Sequence, residues 1–338
     1  MKNYLKNVTA RAWILLVIMA VGIFLRAWHF HDWLRFSEDQ SRDAGIISNV
    51  IKGESPLPLL GPVAGGTFFH LGPAYYYFSI VSSKLFGDYP DRMAYPVLFF
   101  SILAIPLLYL FLKEYFSWRI SLAVTAVASV SYFSVVSSRF SSNPNLAPFF
   151  VLAFLYSFLK LLNDKERASF WWPAAIGTVL GIGIQIHTTL LVILPIFTLL
   201  MLAYLIKKTG WRAVRYALVI IVLSLAMNAP QIASEIETRG QNTIQFFGGL
   251  GLKGSSSGSG LAQGALTAAL CQAKANSYFI SSFPAAQTCS SGIDFDLEKG
   301  AKEVFGGIKD RSFRQNVYLA DVSFLFLFSI GGLFFVDL

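Results

Sequence analysis

The chain has 338 residues, of which 55% are hydrophobic, 15% aromatic and only 14% charged. Soluble domains carry about 25% charged residues, so this chain cannot cover a water-exposed surface, and a soluble globular protein is excluded. The formal net charge is +8, but the basic residues fall in short segments between apolar runs rather than on one patch, which argues against nucleic-acid binding. The composition therefore predicts an integral membrane protein.

Apolar runs long enough to cross a bilayer recur along the chain. A spanning helix needs roughly 20 mostly apolar residues, and such runs occur at about 12–30, 93–112, 119–137, 146–162, 171–187, 188–206, 213–229 and 317–335. We therefore expect an all-α polytopic membrane protein with at least seven spans. The first run continues past signal-peptide length without a small-residue cleavage site, so we expect the first helix to be retained.

Residues 73–87 are the one ambiguous apolar segment. They are short, contain Ser82, Ser83 and Lys84, and include three consecutive tyrosines. If the segment spanned, most basic loops would face outward, against the positive-inside rule. We therefore predict an interfacial helix anchored by its aromatic residues. The protein would lie in the inner or plasma membrane with the N-terminus of the chain on the cytoplasmic side.

This topology divides the chain into three parts. Residues 1–229 form a transmembrane module of about seven spans, whose first outer loop covers 31–92. Residues 230–316 form an outer loop, and 317–338 form the last transmembrane helix. Cys271 and Cys289 both fall in the outer loop, where an oxidising compartment permits a disulfide. Two unpaired cysteines are the alternative.

An acidic segment follows the first span. Ser37 and Gln40 have the spacing of a capping box, which predicts a helix running to about Lys52. Glu38 and Asp39 in its first turn complement the helix dipole, which is a sufficient structural explanation for them. Asp43 lies four residues after Asp39, and the same stripe continues through apolar residues, so we expect both aspartates above the apolar face.

Other polar residues cluster at the predicted outer ends of the spans. Arg139 and Asn143 lie in SSRFSSNPN, where an ordinary turn and a membrane-edge anchor are the structural alternative. His187 lies deep in an apolar tract beside Gln185, and polar residues there mark a cavity or a site by default, although a hydrogen-bonded turn competes with that interpretation. His70 precedes the interfacial helix, which it could cap, and Tyr75 lies in its first turn.

With these residues in place, the chain resembles polyprenyl-phosphate-dependent glycosyltransferases of the GT-C superfamily. The resemblance is to the protein O-mannosyltransferase-like and lipid A aminoarabinose transferase-like branch, and it covers about residues 12–245. It is carried by DQSRD at 39–43, RFSSNPN at 139–145 and QIH at 185–187. It implies a GT-C-like helix bundle with interfacial helices in the first outer loop. Members usually have more spans, so we expect a short member or a fragment.

The resemblance also implies an activity. We expect transfer of a sugar from a polyprenyl-phosphate-linked donor to a hydroxyl of a lipid, glycan or protein acceptor at the periplasmic or extracellular face, with inversion. Asp39 is the expected base, alone or with Glu38 or Asp43. The expected ligands of the sugar or phosphate are Arg139, Asn143, His187, Arg239, His70 and Tyr75. Asp39 and Asp43 could also hold a divalent ion such as Mg²⁺ or Mn²⁺, which the chemistry does not demand.

A multispanning transporter or flippase without catalysis is the alternative function. Transporters tend to show internal repeats, interrupted helices and charges near the membrane midplane. The sequence shows no clear repeat and no carboxylate in the middle of a span, and its polar residues gather at one boundary. This pattern favours the transferase.

Overall fold

A computed structural model of the protein describes residues 2–65, 67–163 and 170–255. This part of the chain contains α-helices, one 3₁₀ turn at Asn143–Leu146 and no β-strand. The helices are α1 (Lys2–Ala27), α2 (Glu38–Ile51), α3 (Ala74–Phe86), α4 (Pro90–Met93), α5 (Tyr95–Leu112), α6 (Trp118–Val130), α7 (Tyr132–Ser137), α8 (Ala147–Asn163), α9 (Trp171–Gly183), α10 (Thr188–Thr209), α11 (Trp211–Met227), α12 (Ala229–Glu237) and α13 (Gln241–Ser255).

Two compact units are present. Of the described residues, the first comprises those up to 130 and from 135 to 252, and the second comprises 131–134 and 253–255. All the contacts described below lie within the first unit.

Several helices have the length and composition of membrane spans. Among the described residues there are four such segments: Ala10–Ala27, Pro90–Leu112, Asn143–Asn163 and Thr188–Thr209. Helices α11 and α12 meet at a 63° bend, and they make a fifth if they form one span. Large apolar side chains on these helices face outward, as at Leu199, which is 67% exposed. The predicted all-α polytopic architecture is confirmed.

The expected count of at least seven spans is not reached within the described residues. The runs at 119–137 and 171–187 contain the 13-residue helices α6 and α9. At 1.5 Å per residue each is about 20 Å long, short of the roughly 30 Å hydrocarbon core. In the first run α6 stops at Val130 and the helix is interrupted before the six-residue α7, and in the second α9 stops at Gly183, so each apolar run is longer than its continuous helix. The expected span at 317–335 lies outside the described residues.

Contacts between helix ends fix the direction of each helix. Phe30, just after α1, packs on Tyr95 at the start of α5, with ring centroids 5.8 Å apart. Arg26, near the end of α1, donates to Ser129 O at the end of α6 at 2.6 Å. Helix α5 is therefore antiparallel to α1 and α6 is parallel to it. The chain between α1 and α5 starts and finishes at one end of the bundle, so α3 makes no net crossing, as expected for residues 73–87.

The same end of the bundle collects the turns of the later helices. Asn143, before α8, donates to Ile186 O, just after α9, at 2.7 Å. Gln185 Nε2 donates to Met227 O at the end of α11 at 2.9 Å. The segment between α1 and α5, the 139–146 turn, the α9–α10 turn and the α11–α12 bend therefore meet there. We refer to this end as the site end.

Close packing of α9 on α11 holds the later helices together. A Cβ added at Gly181 would lie 2.8 Å from Met227 Cβ and 2.9 Å from Ser224 O, so only glycine permits this approach. Small residues at helix interfaces are the usual means of tight packing in membranes, where apolar association gains little from leaving lipid. The contact fixes where α11 ends and α12 begins.

Candidate active site

Helix α2 starts as the sequence predicts. The backbone N–H of Ser37 donates to Gln40 Oε1 at 3.0 Å, and the capping box is present. Since α2 begins at Glu38, residues 38–43 occupy its first turn and a half. This places the acidic segment at the site end.

Arg42 joins the two aspartates of α2. Its Nη1 donates to Asp39 Oδ1 at 2.9 Å, while Nε and Nη2 donate to Asp43 Oδ1 at 3.1 Å and 2.9 Å. The two acceptors differ in environment, because the Asp39 side chain is 73% exposed and that of Asp43 only 6%. One guanidinium therefore connects an exposed carboxylate to a buried one.

Tyr76 of α3 completes the environment of Asp43. Its hydroxyl donates to Asp43 Oδ1 at 2.9 Å. Burial raises the pKa of Asp43, the bonds from Arg42 and Tyr76 lower it, and the net shift is upward. For Arg42, burial lowers the pKa, but the bond and the charge of Asp43 outweigh it, so the net shift is upward. Arg42 is therefore a permanent cation held at a fixed place.

The expectation that both aspartates lie above the apolar face is wrong for Asp39. Asp43 is buried beside Ile47, whereas Asp39 and Glu38 are exposed. Asp39 lies in the first turn of α2, so no earlier turn of the helix lies beside it. The apolar packing that buries Asp43 therefore does not reach the Asp39 side chain. The exposure leaves the Asp39 carboxylate accessible from outside the bundle.

A cavity of about 340 Å³ opens beside Arg42. Its polar lining comes from Arg42, Tyr76, His70 and Ser234, and its apolar wall comes from α2 and the segment between α2 and α3: Ile46, Pro58, Leu59, Leu60, Gly61 and Val63. A cavity with a cation at one side and apolar walls at the other suits an anionic headgroup that carries a lipid chain. We call it the Arg42 cavity.

His70 is fixed in this cavity by two partners. Its Nδ1 lies 2.9 Å from Gly61 O. Asn242 of α13 pairs with its backbone, accepting from His70 N at 2.8 Å and donating to His70 O at 3.0 Å. The histidine therefore lines the cavity rather than capping α3, whose N-cap is Pro73.

Tyr75 and Arg139 serve the packing of the site end. The Tyr75 hydroxyl lies 2.9 Å from Ser141 Oγ in the buried interior. Arg139 is 4% exposed, and its guanidinium donates to the carbonyls of Leu25, Trp28 and His29 at 2.7, 2.6 and 3.3 Å. These carbonyls end α1, so Arg139 caps that helix, and burial lowers its pKa. Its amino groups point at backbone carbonyls and not at the Arg42 cavity.

The remaining expected ligands occupy different places. Asn143 donates to Ile186 O. His187 is the N-cap of α10, and its Nδ1 accepts from Thr189 N at 3.1 Å. Arg239 is exposed between α12 and α13 with a positive φ of 54°. None of the three lines the Arg42 cavity, so the structure does not bring the whole expected set together.

Gln185, quoted in the QIH motif, holds three elements together. Its Oε1 accepts from Ala74 N at 3.1 Å, and its Nε2 donates to Gly181 O and Met227 O. Gly72 packs directly on it, because a Cβ there would approach Gln185 Cγ to 2.3 Å. Gln185, a polar residue in an apolar tract, is therefore explained by buried hydrogen bonds that connect α3, α9 and α11.

The divalent ion that Asp39 and Asp43 could hold finds no suitable ligand set in the part of the chain that the structure describes. No three His, Cys, Asp or Glu side chains there converge, and Asp39 and Asp43 share the Arg42 guanidinium instead. We derive no step through a metal ion at these carboxylates. Cys271 and Cys289, the pair expected to form a disulfide, lie outside the described residues.

Two residues of the site were not among those singled out from the sequence. Arg42 lies inside the DQSRD segment. It is three residues after Asp39, and on a helix this spacing places an arginine beside an aspartate, which could have identified it. Tyr76 is one of three consecutive tyrosines, and no sequence pattern shows which one faces Asp43. Its role depends on how α3 packs on α2.

The fold and the site together define a membrane-embedded helical protein with a charged cavity at one end of its bundle. The sequence profile of the family described as dolichyl-phosphate-mannose-protein mannosyltransferase matches residues 70–233. The matched segment contains His70, Tyr75, Tyr76, Arg139, Asn143 and His187, and it does not contain α2 or Arg239. The predicted resemblance to the protein O-mannosyltransferase-like branch of GT-C enzymes is confirmed by this match.

Solved structures of membrane transferases show similarity to the chain at low identity. ArnT from Cupriavidus metallidurans bound to undecaprenyl phosphate is 16% identical, with a TM-score of 0.49, covering 71% of this chain and 43% of that one. The apo oligosaccharyltransferase of Archaeoglobus fulgidus is 15% identical, with a TM-score of 0.49, covering 65% and 29%. This chain thus spans less than half the length of either. No curated protein sequence matches it.

Proposed function

We propose that this protein transfers a sugar from a polyprenyl-phosphate-linked donor to a hydroxyl of a lipid, glycan or protein acceptor. The reaction takes place at the non-cytoplasmic face and inverts the anomeric carbon. One observation carries the proposal: Arg42, a fixed cation, lies between an amphipathic cavity and the exposed carboxylate of Asp39. The family match supports it, because the matched segment supplies His70 and Tyr76 of the cavity lining.

The Arg42 cavity takes the donor. Its apolar wall accommodates the first units of the polyprenyl chain, and Arg42 binds the phosphate, for which a planar guanidinium has matching donors. Arg42 keeps its two bonds to Asp43, and a phosphate oxygen replaces the exposed Asp39 carboxylate as the acceptor of its Nη1. Binding of the donor therefore releases the Asp39 carboxylate.

The released carboxylate acts as the general base. The acceptor oxygen attacks the anomeric carbon opposite the phosphate, the bond from that carbon to the phosphate oxygen breaks, and the acceptor proton moves to Asp39. Polyprenyl phosphate leaves as an anion, whose charge Arg42 neutralises. A positioned base contributes about 10²–10⁴-fold in rate. Asp43 and Tyr76 position Arg42, and Glu38 adds negative charge beside the base.

The other expected ligands keep distinct proposed roles. Arg239 is exposed and stays the second candidate for the phosphate, and His70 lines the donor cavity and hydrogen-bonds the sugar. Arg139, Asn143, His187 and Tyr75 already have partners that fix the site end, so we propose that they shape the site from behind.

One observation favours the alternative of a transporter. The α11–α12 bend interrupts an apolar segment, and interrupted helices are common in transporters. A transporter would move a lipid-linked substrate without breaking a bond in it. The two functions therefore differ in one product, free polyprenyl phosphate.

Release of polyprenyl phosphate is the decisive measurement. The full chain is purified into nanodiscs and incubated with a panel of polyprenyl-phosphate sugars and with membrane extract as the source of acceptor. The transferase releases polyprenyl phosphate from at least one donor, and the release depends on Arg42 and Asp39. Movement of the donor across proteoliposomes without any release would establish the transporter instead.

A further inference from the structure

A second cavity lies at the α11–α12 bend, and the proposed chemistry does not use it. Its volume is about 370 Å³, and it is lined by Asn228, Gln231, Ile232, Glu235, Ile236 and Thr243. We call it the Glu235 cavity. Consecutive residues of α12 line the two cavities, Ser234 the Arg42 cavity and Glu235 the second, so α12 lies between them.

The bend that forms this cavity is held in place. Asn228, at the break, donates through Nδ2 to Gly181 O at 3.0 Å and to Ser224 O at 2.8 Å. The bond to Ser224 satisfies a carbonyl that the end of α11 leaves open, as irregular backbone at membrane depth requires, and the bond to Gly181 ties the break to α9. The cavity is therefore a built feature of the site end.

Glu235 is the charged residue of the cavity. Its Oε1 accepts from Thr243 Oγ1 at 3.0 Å. Its Oε2 is buried and has no hydrogen-bond partner within the described residues. A buried carboxylate oxygen without a donor is costly, and the terminal carboxylate rotates easily, so a donor entering the cavity would satisfy it.

The walls of the cavity are apolar and open outward. Ile232 and Ile236 are 38% and 75% exposed, on a helix that together with α11 has the length and apolar composition of one bent span. A carboxylate acceptor flanked by outward-facing isoleucines suits a ligand with a hydrogen-bond donor in its head and an apolar tail. A single carboxylate offers too few oxygens for a hard cation, which takes six or more.

We propose that the Glu235 cavity binds the hydroxyl-bearing headgroup of a membrane amphiphile, which is the acceptor of the transfer. That the bound amphiphile is the acceptor rests on the proposed function. That an amphiphile binds here rests on the cavity alone. Glu235 accepts a hydrogen bond from a headgroup hydroxyl, and the tail leaves past Ile236. The acceptor is then lipid-borne: one headgroup hydroxyl stays on Glu235, and a second hydroxyl must pass α12 to meet the donor and Asp39.

A photoreactive alkyl glucoside is the probe for this cavity. It has a neutral headgroup rich in hydroxyls and an apolar tail, and its crosslinking to the full chain in nanodiscs needs no turnover. Labelling should fall within the peptide 228–243, and excess octyl glucoside should compete, whereas octyl phosphate and free glucose should not. A serine-containing peptide that competes better than octyl glucoside would overturn the lipid-borne acceptor.

Two variants with the same charge change test the residue. Glu235→Gln should weaken octyl glucoside competition at least about 10-fold, as expected for a lost bond to a charged group, with an unchanged thermal midpoint. Glu237→Gln, exposed and outside the cavity, should leave it unchanged. Ile236→Trp should block labelling by filling the entrance. Equal competition in wild type and Glu235→Gln, or an equal loss in Glu237→Gln, would overturn the proposal.

Failure of this inference can be told from failure of the proposed function. Polyprenyl phosphate binding to the Arg42 cavity is measured on the same preparations. Normal labelling at 228–243 without release of polyprenyl phosphate from any donor contradicts the transferase alone. Release of polyprenyl phosphate with no labelling there contradicts only the Glu235 cavity as the acceptor site.

Discussion

Arg42 donates two hydrogen bonds to Asp43 Oδ1, its neighbour in sequence, from Nε at 3.1 Å and from Nη2 at 2.9 Å. Its third bond, from Nη1, reaches the exposed Asp39. The buried carboxylate thus anchors the guanidinium, and the exposed one is its exchangeable partner. In the proposed mechanism, this asymmetry lets Arg42 bind the donor phosphate without losing its position.

Arg42 should determine the affinity for the donor phosphate. Arg42→Gln removes the charge and the fork, and charge-assisted bonds are worth about 1.5–3 kcal/mol, so the Kd for polyprenyl phosphate should rise at least about 10-fold. Arg239→Gln is the matched change at the second candidate and should alter the Kd by less than about 3-fold. Tryptophan-fluorescence titration in nanodiscs measures both. The reverse order of effects would move the phosphate site to Arg239.

Asp43 should make stability depend on pH with a definite sign. Because the net shift raises its folded pKa above 3.8, the folded state holds the proton more tightly than the unfolded state does. The contribution is fully present below the unfolded pKa and is lost as pH rises through the folded pKa. Relative to Asp43→Asn, the wild-type thermal midpoint should therefore fall as pH is raised from about 3.8. A wild-type advantage that grows with pH would show that the bonds from Arg42 and Tyr76 outweigh burial.

Arg139 should matter for stability and not for donor binding. Arg139→Gln loses bonds to the carbonyls of Leu25 and Trp28, both 2.7 Å or shorter, together with a cation at a helix C-terminus. We expect a loss of about 2–3 kcal/mol in unfolding free energy, measured by thermal unfolding in detergent, with an unchanged Kd for polyprenyl phosphate. An unchanged midpoint with a 10-fold weaker Kd would restore the phosphate-binding role that its motif suggested.

The α9–α11 contact should be intolerant of one methyl group. Gly181→Ala places a Cβ 2.8 Å from Met227 Cβ, and overpacking of this kind costs about 1–3 kcal/mol. Gly45→Ala is the matched control, because nothing lies within 4 Å of a Cβ there; it should gain about 0.5–1 kcal/mol. Thermal midpoints of the two variants should move in opposite directions. A gain in both would mean that α9 and α11 do not pack this closely.

The sequence predicts the helical class, the capping box and the absence of a crossing at α3, because these depend on composition and local spacing. Span count is less predictable, since α6 and α9 stop before their apolar runs do. The site depends on long-range contacts. Arg139 carries the signature of a ligand-binding arginine, but the carbonyls it meets belong to α1, more than 100 residues away. Asp39 and Asp43 share a stripe in sequence, yet only Asp43 is covered by α3.

The central claim is that Asp39 is the base, and Asp39→Asn tests it most directly. The change keeps the shape and a polar side chain in the first turn of α2, and as a mere loss of helix-dipole complementarity it would cost at most about 1 kcal/mol. Glu38→Gln is the control, with the same charge change at an exposed position one residue earlier.

The measurement is single-turnover release of polyprenyl phosphate from a bound donor by wild type and both variants. The account predicts a fall of at least about 10²-fold for Asp39→Asn, a near-normal rate for Glu38→Gln, and in both a wild-type thermal midpoint and a donor affinity no weaker than that of wild type. Near-normal release by Asp39→Asn, or a loss that only accompanies unfolding, would contradict the assignment of Asp39 as the base.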